Sequence, residues 1–216
     1  MTHRSEASRE DGFQDEIPES SWSPERRRFE EQAGMLVKAL RSTEEGVREL
    51  AIVQISLQGP KAVPHLISAL EDALNERDLR HASHESVSSA ERSIAGICRA
   101  LGIIGASDAI VDLAAALPRK EALEALAKIG GERALDLVMG TIENEPGHGG
   151  PLSHIGNSSW PSGSAGADPA FVRRVFLLFG EAGRWRLEEE LVNGSSSSRA
   201  AVAEIIRIMG YSDSSP

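Results

Sequence analysis

Ala122-Leu123-Glu124-Ala125-Leu126-Ala127-Lys128-Ile129-Gly130 carries the pattern that decides the fold. An apolar residue (Ala122) is followed four positions later by another (Leu126), and four positions after that by a glycine. The same phrase recurs as Ala51/Ile55/Gly59, Ile97/Leu101/Gly105, Val172/Phe176/Gly180 and Val202/Ile206/Gly210. An apolar period of three to four residues marks helices rather than strands, whose period is two. Repetition of one helical phrase along a chain marks a solenoid of stacked helix pairs.

A second phrase alternates with the first. Leu36/Leu40, Leu66/Leu70, Leu113/Leu117, Val138/Ile142 and Leu187/Leu191 are apolar pairs four apart. From each of the first four glycines, the next pair closes 11 or 12 positions later. The spacing therefore predicts an A helix that ends at each glycine and a B helix that ends at each pair. Five of each are expected, with a B helix first and an A helix last. Ser23-Pro24 is a plausible start, with a serine N-cap and a proline in the first turn. Ser42-Thr43-Glu44-Glu45 and Ser88-Ser89-Ala90-Glu91 fit capping boxes. Asp168-Pro169 opens a later A helix, and the glycines suit left-handed helix ends.

Several of these stretches resemble the HEAT-repeat family, in particular its short phycobilisome-lyase type. The resemblance is carried by Leu36-Val37-Lys38-Ala39-Leu40 with Val47-Arg48, and by Ala100-Leu101-Gly102-Ile103-Ile104-Gly105. It is carried again by Ala125-Leu126-Ala127-Lys128-Ile129-Gly130 with Ala134-Leu135. It implies an all-α fold, an α-solenoid of about five antiparallel helix pairs with B helices on the concave face. It also implies that Arg48 and Arg119 reach acids of neighbouring repeats. Fold alone leaves function open, since the family spans scaffolds, lyases and a few enzymes.

The chain is expected to divide into an acidic, disordered tail (1–23), the solenoid (24–210) and a disordered end (211–216). Intervals of 46, 25, 50 and 30 residues separate successive glycines. Two units thus carry insertions, at about 75–89 and 145–167, both between a B helix and the next A helix, hence on one edge. The second is rich in Gly, Ser and Pro, and loops of that length are often functional or disordered.

Composition bounds the chemistry. The 216 residues carry a formal net charge of −10, 4% aromatics and one cysteine, Cys98. An acidic chain repels a phosphate backbone, so nucleic acid is not an expected partner. One cysteine excludes an internal disulfide and points to a reducing compartment. No apolar run approaches the roughly 20 residues that span a bilayer. A cytoplasmic location is expected.

Candidate sites are few. Four of the six histidines fall in the insertions (His81, His84, His148 and His154), where with Glu85 they would form a metal site if the loops converged. Exposed loop histidines and glycine-rich flanks argue against it, so no metal or cofactor is expected. The single His84-Glu85 dipeptide precedes a helix. HEAT-repeat di-iron hydroxylases carry several, within A helices. Cys98 sits on an apolar face and reads as a small buried hydrophobe. Trp22 and Trp160 lie in similar Ser-Ser-Trp motifs and are candidate contacts for a partner or for the chain itself. Non-core positions of the B helices would line the groove: His65, Asp108, Asp112, Asp136, Arg184 and Glu188, with Trp185 as its one convincing aromatic. Their mean charge is negative.

The sequence thus points to a non-enzymatic scaffold or adaptor that holds a protein segment, of basic character, in the concave groove. The alternative is a lyase- or chaperone-like module handling a tetrapyrrole; further off stand a metal-dependent HEAT-repeat enzyme and an alkylation glycosylase of HEAT-like build.

Overall fold

The computed structural model describes residues 23–79, 83–117, 119–143 and 169–210. Among these residues the chain forms nine α-helices and no strand. They are α1 (Pro24–Ala39), α2 (Glu45–Leu57), α3 (Val63–Asp78), α4 (His84–Ile104), α5 (Ile110–Ala115), α6 (Lys120–Ile129), α7 (Glu132–Glu143), α8 (Pro169–Asn193) and α9 (Ser196–Met209). Short 3-10 turns at Gly59–Ala62 and Ser107–Ala109 lead into α3 and α5.

The helices form two layers. In one, α2, α4, α6 and the start of α8 pack side by side; in the other, α1, α3, α5, α7 and the end of α8 follow one another. Each B helix also packs on the A helix that follows it, as α1 on α2 and α3 on α4. This is the all-α solenoid that the two alternating phrases predict. The phrases become the core: Ile55, Leu66, Leu70, Ile97, Leu101, Leu113, Leu126, Val138, Val172, Phe176, Leu187 and Val202 are all buried. Leu191, paired with Leu187 in the sequence pattern, is instead partly exposed at the end of α8.

Local chemistry sets the helix ends. Ser23 caps α1 by accepting from the Arg26 N–H at 3.2 Å, with Pro24 where no amide donor is needed. Ser83, not Ser88 or Ser89, caps α4, accepting from the Ser86 N–H at 3.1 Å. The 42–45 capping box does not form either, because Ser42 Oγ binds the Glu44 N–H inside its own turn. Of the expected insertion at 75–89, residues 75–78 extend α3 and residues 84–89 begin α4. Much of the added length is thereby spent on helix, which the 21 residues of α4 reflect. The second insertion and both chain ends lie outside the described residues.

The closing glycines do not share one geometry. Gly105 and Gly210 are left-handed, as expected, whereas Gly130 (φ 72°, ψ −166°) and Gly180 (φ 59°, ψ −136°) combine positive φ with an extended ψ. That mirror-extended region is essentially closed to L side chains. At Gly180 it bends the chain so sharply that α8 is an A and a B helix in near-direct succession.

Two contacts fix how closely α4 approaches its neighbours. A β-carbon on Gly102 would meet the Ala125 Cα of α6 at 2.8 Å, and one on Gly96 would meet Leu40 Cδ2 at 3.0 Å. Substituting Gly102→Ala should therefore force α4 and α6 apart and cost about 1–3 kcal/mol. Gly34→Ala on α1, where nothing lies within 4 Å, should instead gain about 0.5–1 kcal/mol. Urea denaturation of the two variants checks both signs, and equal effects would refute the account.

Candidate functional site

Arginines tie successive A helices together on the outside of the row. Arg99 of α4 grips Glu49 of α2 with both guanidinium nitrogens (Nη2 to Oε2, 2.7 Å), and Arg119 at the head of α6 grips Glu91 of α4 likewise. Arg174 of α8 reaches Glu124 of α6. Arg119 thus plays the inter-repeat role expected of it. Arg48 does not: it donates to the Ser42 and Thr43 carbonyls at 2.9 Å, bracing the turn before its own helix. On the other edge, Glu76 accepts from Arg41 Nη1 and Ser86 Oγ, each at 2.6 Å, which clasps α1, α3 and α4 together.

The B helices present a row of corresponding positions, each two residues before a buried Leu or Val: Gly34, Pro64, Val111, Asp136 and Trp185. Met35, Val111 and Trp185 are exposed along this face, and acids stand between them. Of the residues expected to line a groove, Asp108, Asp136, Arg184 and Glu188 are exposed and Asp112 is half-buried. Asp108 sits in the turn before α5 rather than on a helix. His65 is engaged within the chain: its Nε2 lies 3.1 Å from Glu30 Oε2, and its ring is 5.6 Å from that of Phe29. Arg184 pairs with Glu188 at 2.8 Å along α8. Trp22, Trp160, His81, His148 and His154 lie outside the described residues. His84 is the first residue of α4. Among the described residues no three His, Cys, Asp or Glu side chains are grouped to hold a metal ion.

Part of this face is concave at the scale of a side chain. A cleft of about 620 Å³ opens between the α6–α7 turn and α8. Its near wall is Gly130, Gly131, Glu132, Leu135 and Asp136, and its far wall includes Leu178, Phe179, Ala182, Trp185 and Glu189. The reason it exists is local. Gly130 and Gly131 both have positive φ and no side chain to fill the gap, and Gly180 turns the second half of α8 across it. Trp185 is 65% exposed, so the cleft has an aromatic wall facing solvent. Glu132, Asp136 and Glu189 give it three carboxylates against one guanidinium, Arg186. That arginine sits 3.6 Å from Asp136 and 3.1 Å from Glu189, holding both acids in place. Such a site can pair with cations and cover apolar or aromatic surface.

Glu190 shows what the sequence concealed. It reads as a solvated acid in the run Glu188-Glu189-Glu190, yet it is buried and accepts a hydrogen bond from Ser198 Oγ of α9. Room for it comes from Gly194, where any β-carbon would lie 2.1 Å from Glu190 Oε1. The spacing Glu-x-x-x-Gly-x-x-x-Ser was the available signal. Leu178 and Phe179 were missed as lining residues because they read as interior positions of an A helix.

Comparison with known proteins agrees with this architecture. Residues 118–139 match the family model of the PBS lyase HEAT-like repeat. That stretch covers α6, its two-glycine turn and most of α7, and so includes the near wall of the cleft. No curated protein matches the chain significantly. Among the described residues no helix is long and apolar enough to cross a membrane.

Two solution measurements follow from the buried and paired groups. Burial pushes the Cys98 thiol up to about 12, so it is almost wholly protonated at pH 8. Maleimide should leave the native protein unmodified and label one thiol in urea; native labelling at a free-thiol rate would contradict the packing of α4. The Glu76 carboxyl is held below its ordinary value by the Ser86 hydrogen bond and by Arg41. A depressed carboxylate stabilises the fold above its unfolded pKa near 4.5, and that contribution is lost as pH falls through the folded value. Glu76→Gln should accordingly be less stable than wild type at pH 7, with the difference shrinking below about pH 4.5. A difference independent of pH would remove the carboxylate from the clasp.

Proposed function

We propose that the protein is a non-enzymatic interaction module whose B-helix face holds a segment of a partner protein, with the cleft at Trp185 as anchor. The observation that carries this reading is the exposed indole of Trp185 above an apolar floor, ringed by Glu132, Asp136 and Glu189. A large exposed aromatic in a concave, partly apolar site is the usual centre of binding energy in protein interfaces. The surplus of carboxylates specifies the partner's charge. A segment with Lys or Arg beside a Leu, Met or aromatic residue would place cations on the rim and carbon surface on Trp185 and Leu135. Val111 and Asp112 on the neighbouring α5 would extend the contact along the row, as repeat arrays do.

Peptides selected by the full chain from a random displayed library test the reading directly. The selected sequences should be enriched in Lys or Arg next to an apolar residue, and should bind more weakly at high salt. Trp185→Ala and Asp136→Lys, both at exposed positions, should each weaken binding at least about tenfold, or 1.4 kcal/mol, without loss of helix content. Peptides that bind both variants as tightly as wild type would remove the cleft from the proposal.

A further inference from the structure

The A helices allow the same flank to be compared at different places in the row. Counting back 12, 9 and 5 residues from the closing glycine gives Ser93, Gly96 and Ala100 in α4, and Val47, Leu50 and Gln54 in α2. In α4 these positions are covered: Ser93 is 1% exposed, Ala100 0%, and Gly96 lies against Leu40. In α9 the corresponding Ser198 and Ile205 are buried too. In α2, the first A helix among the described residues, the flank is bare. Val47 is 39% and Leu50 58% exposed, and Val53 and Leu57 continue the strip at 53% and 82%. Four apolar side chains on one face of a 13-residue helix form a contiguous patch on the flank that is covered in α4 and α9. Solenoids need polar outer faces on their terminal repeats to stay soluble. This end lacks one.

We propose that the strip is covered by a second copy of this chain, with two α2 helices packed antiparallel about a twofold axis near Ile52. The pattern is self-complementary about that point. Val47 falls opposite the partner's Leu57, and Leu50 opposite the partner's Val53 and Gln54. The charges at the two ends also match. Glu44 and Glu45 are exposed at the N-terminal end and Lys61 is exposed just beyond the C-terminal end. Antiparallel pairing sets each Glu44 toward the other chain's Lys61, and each helix N-terminus beside an opposed C-terminus, which favours the dipoles. A head-to-tail stack is the other way to cover an open solenoid end. It is disfavoured because α9 exposes Arg199, Ala200, Ala203 and Arg207, the last paired with Glu204, a face of small and charged residues that does not match the apolar strip. The closed twofold pairing leaves no growing end. The dimer does not draw on the Trp185 cleft, so either can fail alone.

Light scattering on the full chain at about 10–100 µM should give the mass of two chains, and Leu50→Glu should give one, at least about 100-fold weaker in association. Val53→Cys, close to the axis, should form a disulfide-linked dimer on oxidation, and Cys98 is buried and would not compete. Lys61→Glu should weaken the dimer about tenfold, and Glu44→Lys added to it should restore the loss. Wild-type monomer at about 100 µM would overturn the proposal. So would a dimer that survives Leu50→Glu, or a monomer that dimerises only after residues 1–22 are removed. That last result would assign the strip to the chain's own N-terminal segment.

Discussion

The approach of α4 to its neighbours is the constraint on which the other features depend. Gly102 lets the backbone of α6 come within contact of α4, and Gly96 lets Leu40 close over its other end. With both glycines in place α4 is buried around most of its girth, its apolar residues touching units on either side. The hydrophobic effect scales with apolar area removed from water, and close-packed interiors also recover dispersion contacts. A methyl group on Gly102 would meet the α6 backbone, hold α4 and α6 apart and forfeit both, whereas one on Gly96 would have to displace the end of the Leu40 side chain. Stability in a repeat array is largely a sum of such nearest-neighbour interfaces, so these small residues set the strength of the middle of the row.

Electrostatics then organise the surface that packing leaves. A net charge of −10 would work against a compact chain if the acids were scattered. Many of them are instead taken up by arginines that cross between units, as with Glu49, Glu91 and Glu124, or between layers, as with Glu76. Forked arginine–carboxylate geometry makes such pairs directional as well as attractive. Asp108, Asp112 and Glu132 on the B-helix side are exposed or half-buried acids outside these inter-unit pairs.

Much of the fold was legible because helix period and glycine spacing are local properties. The sequence pattern located all the A and B helices and nearly all of the buried apolar pairs. It failed where tertiary contacts override local preference. Ser83 rather than Ser88 caps α4 because the helix gains a further turn against α3, which Glu76 and Ser86 hold in place. Glu190 is buried because α9 supplies a hydroxyl and Gly194 supplies space. His65 is engaged by Glu30 on a helix 35 residues upstream, a distance no spacing rule reaches. The candidate site was readable in part. Of the expected groove positions, Asp136 and Trp185 line the cleft whereas Arg184 and Glu188 do not, and the cleft itself arises from backbone angles at Gly130, Gly131 and Gly180. Positive φ can be anticipated at a helix-ending glycine, but the ψ that decides the direction of the next helix cannot.

The mirror-extended conformation at Gly130 and Gly180 bears on how such a chain changes over generations. At those two points selection acts on the backbone and is indifferent to the size or polarity of a replacement, since every L side chain is penalised alike. Helices on either side remain free to lengthen, as α4 has done relative to α6, and their faces are free to acquire new charges. The punctuation itself cannot drift by a residue without a new glycine arising in step. Inheritance therefore favours gain or loss of whole helix pairs, each carrying its own joint, over gradual sliding of one helix past the next.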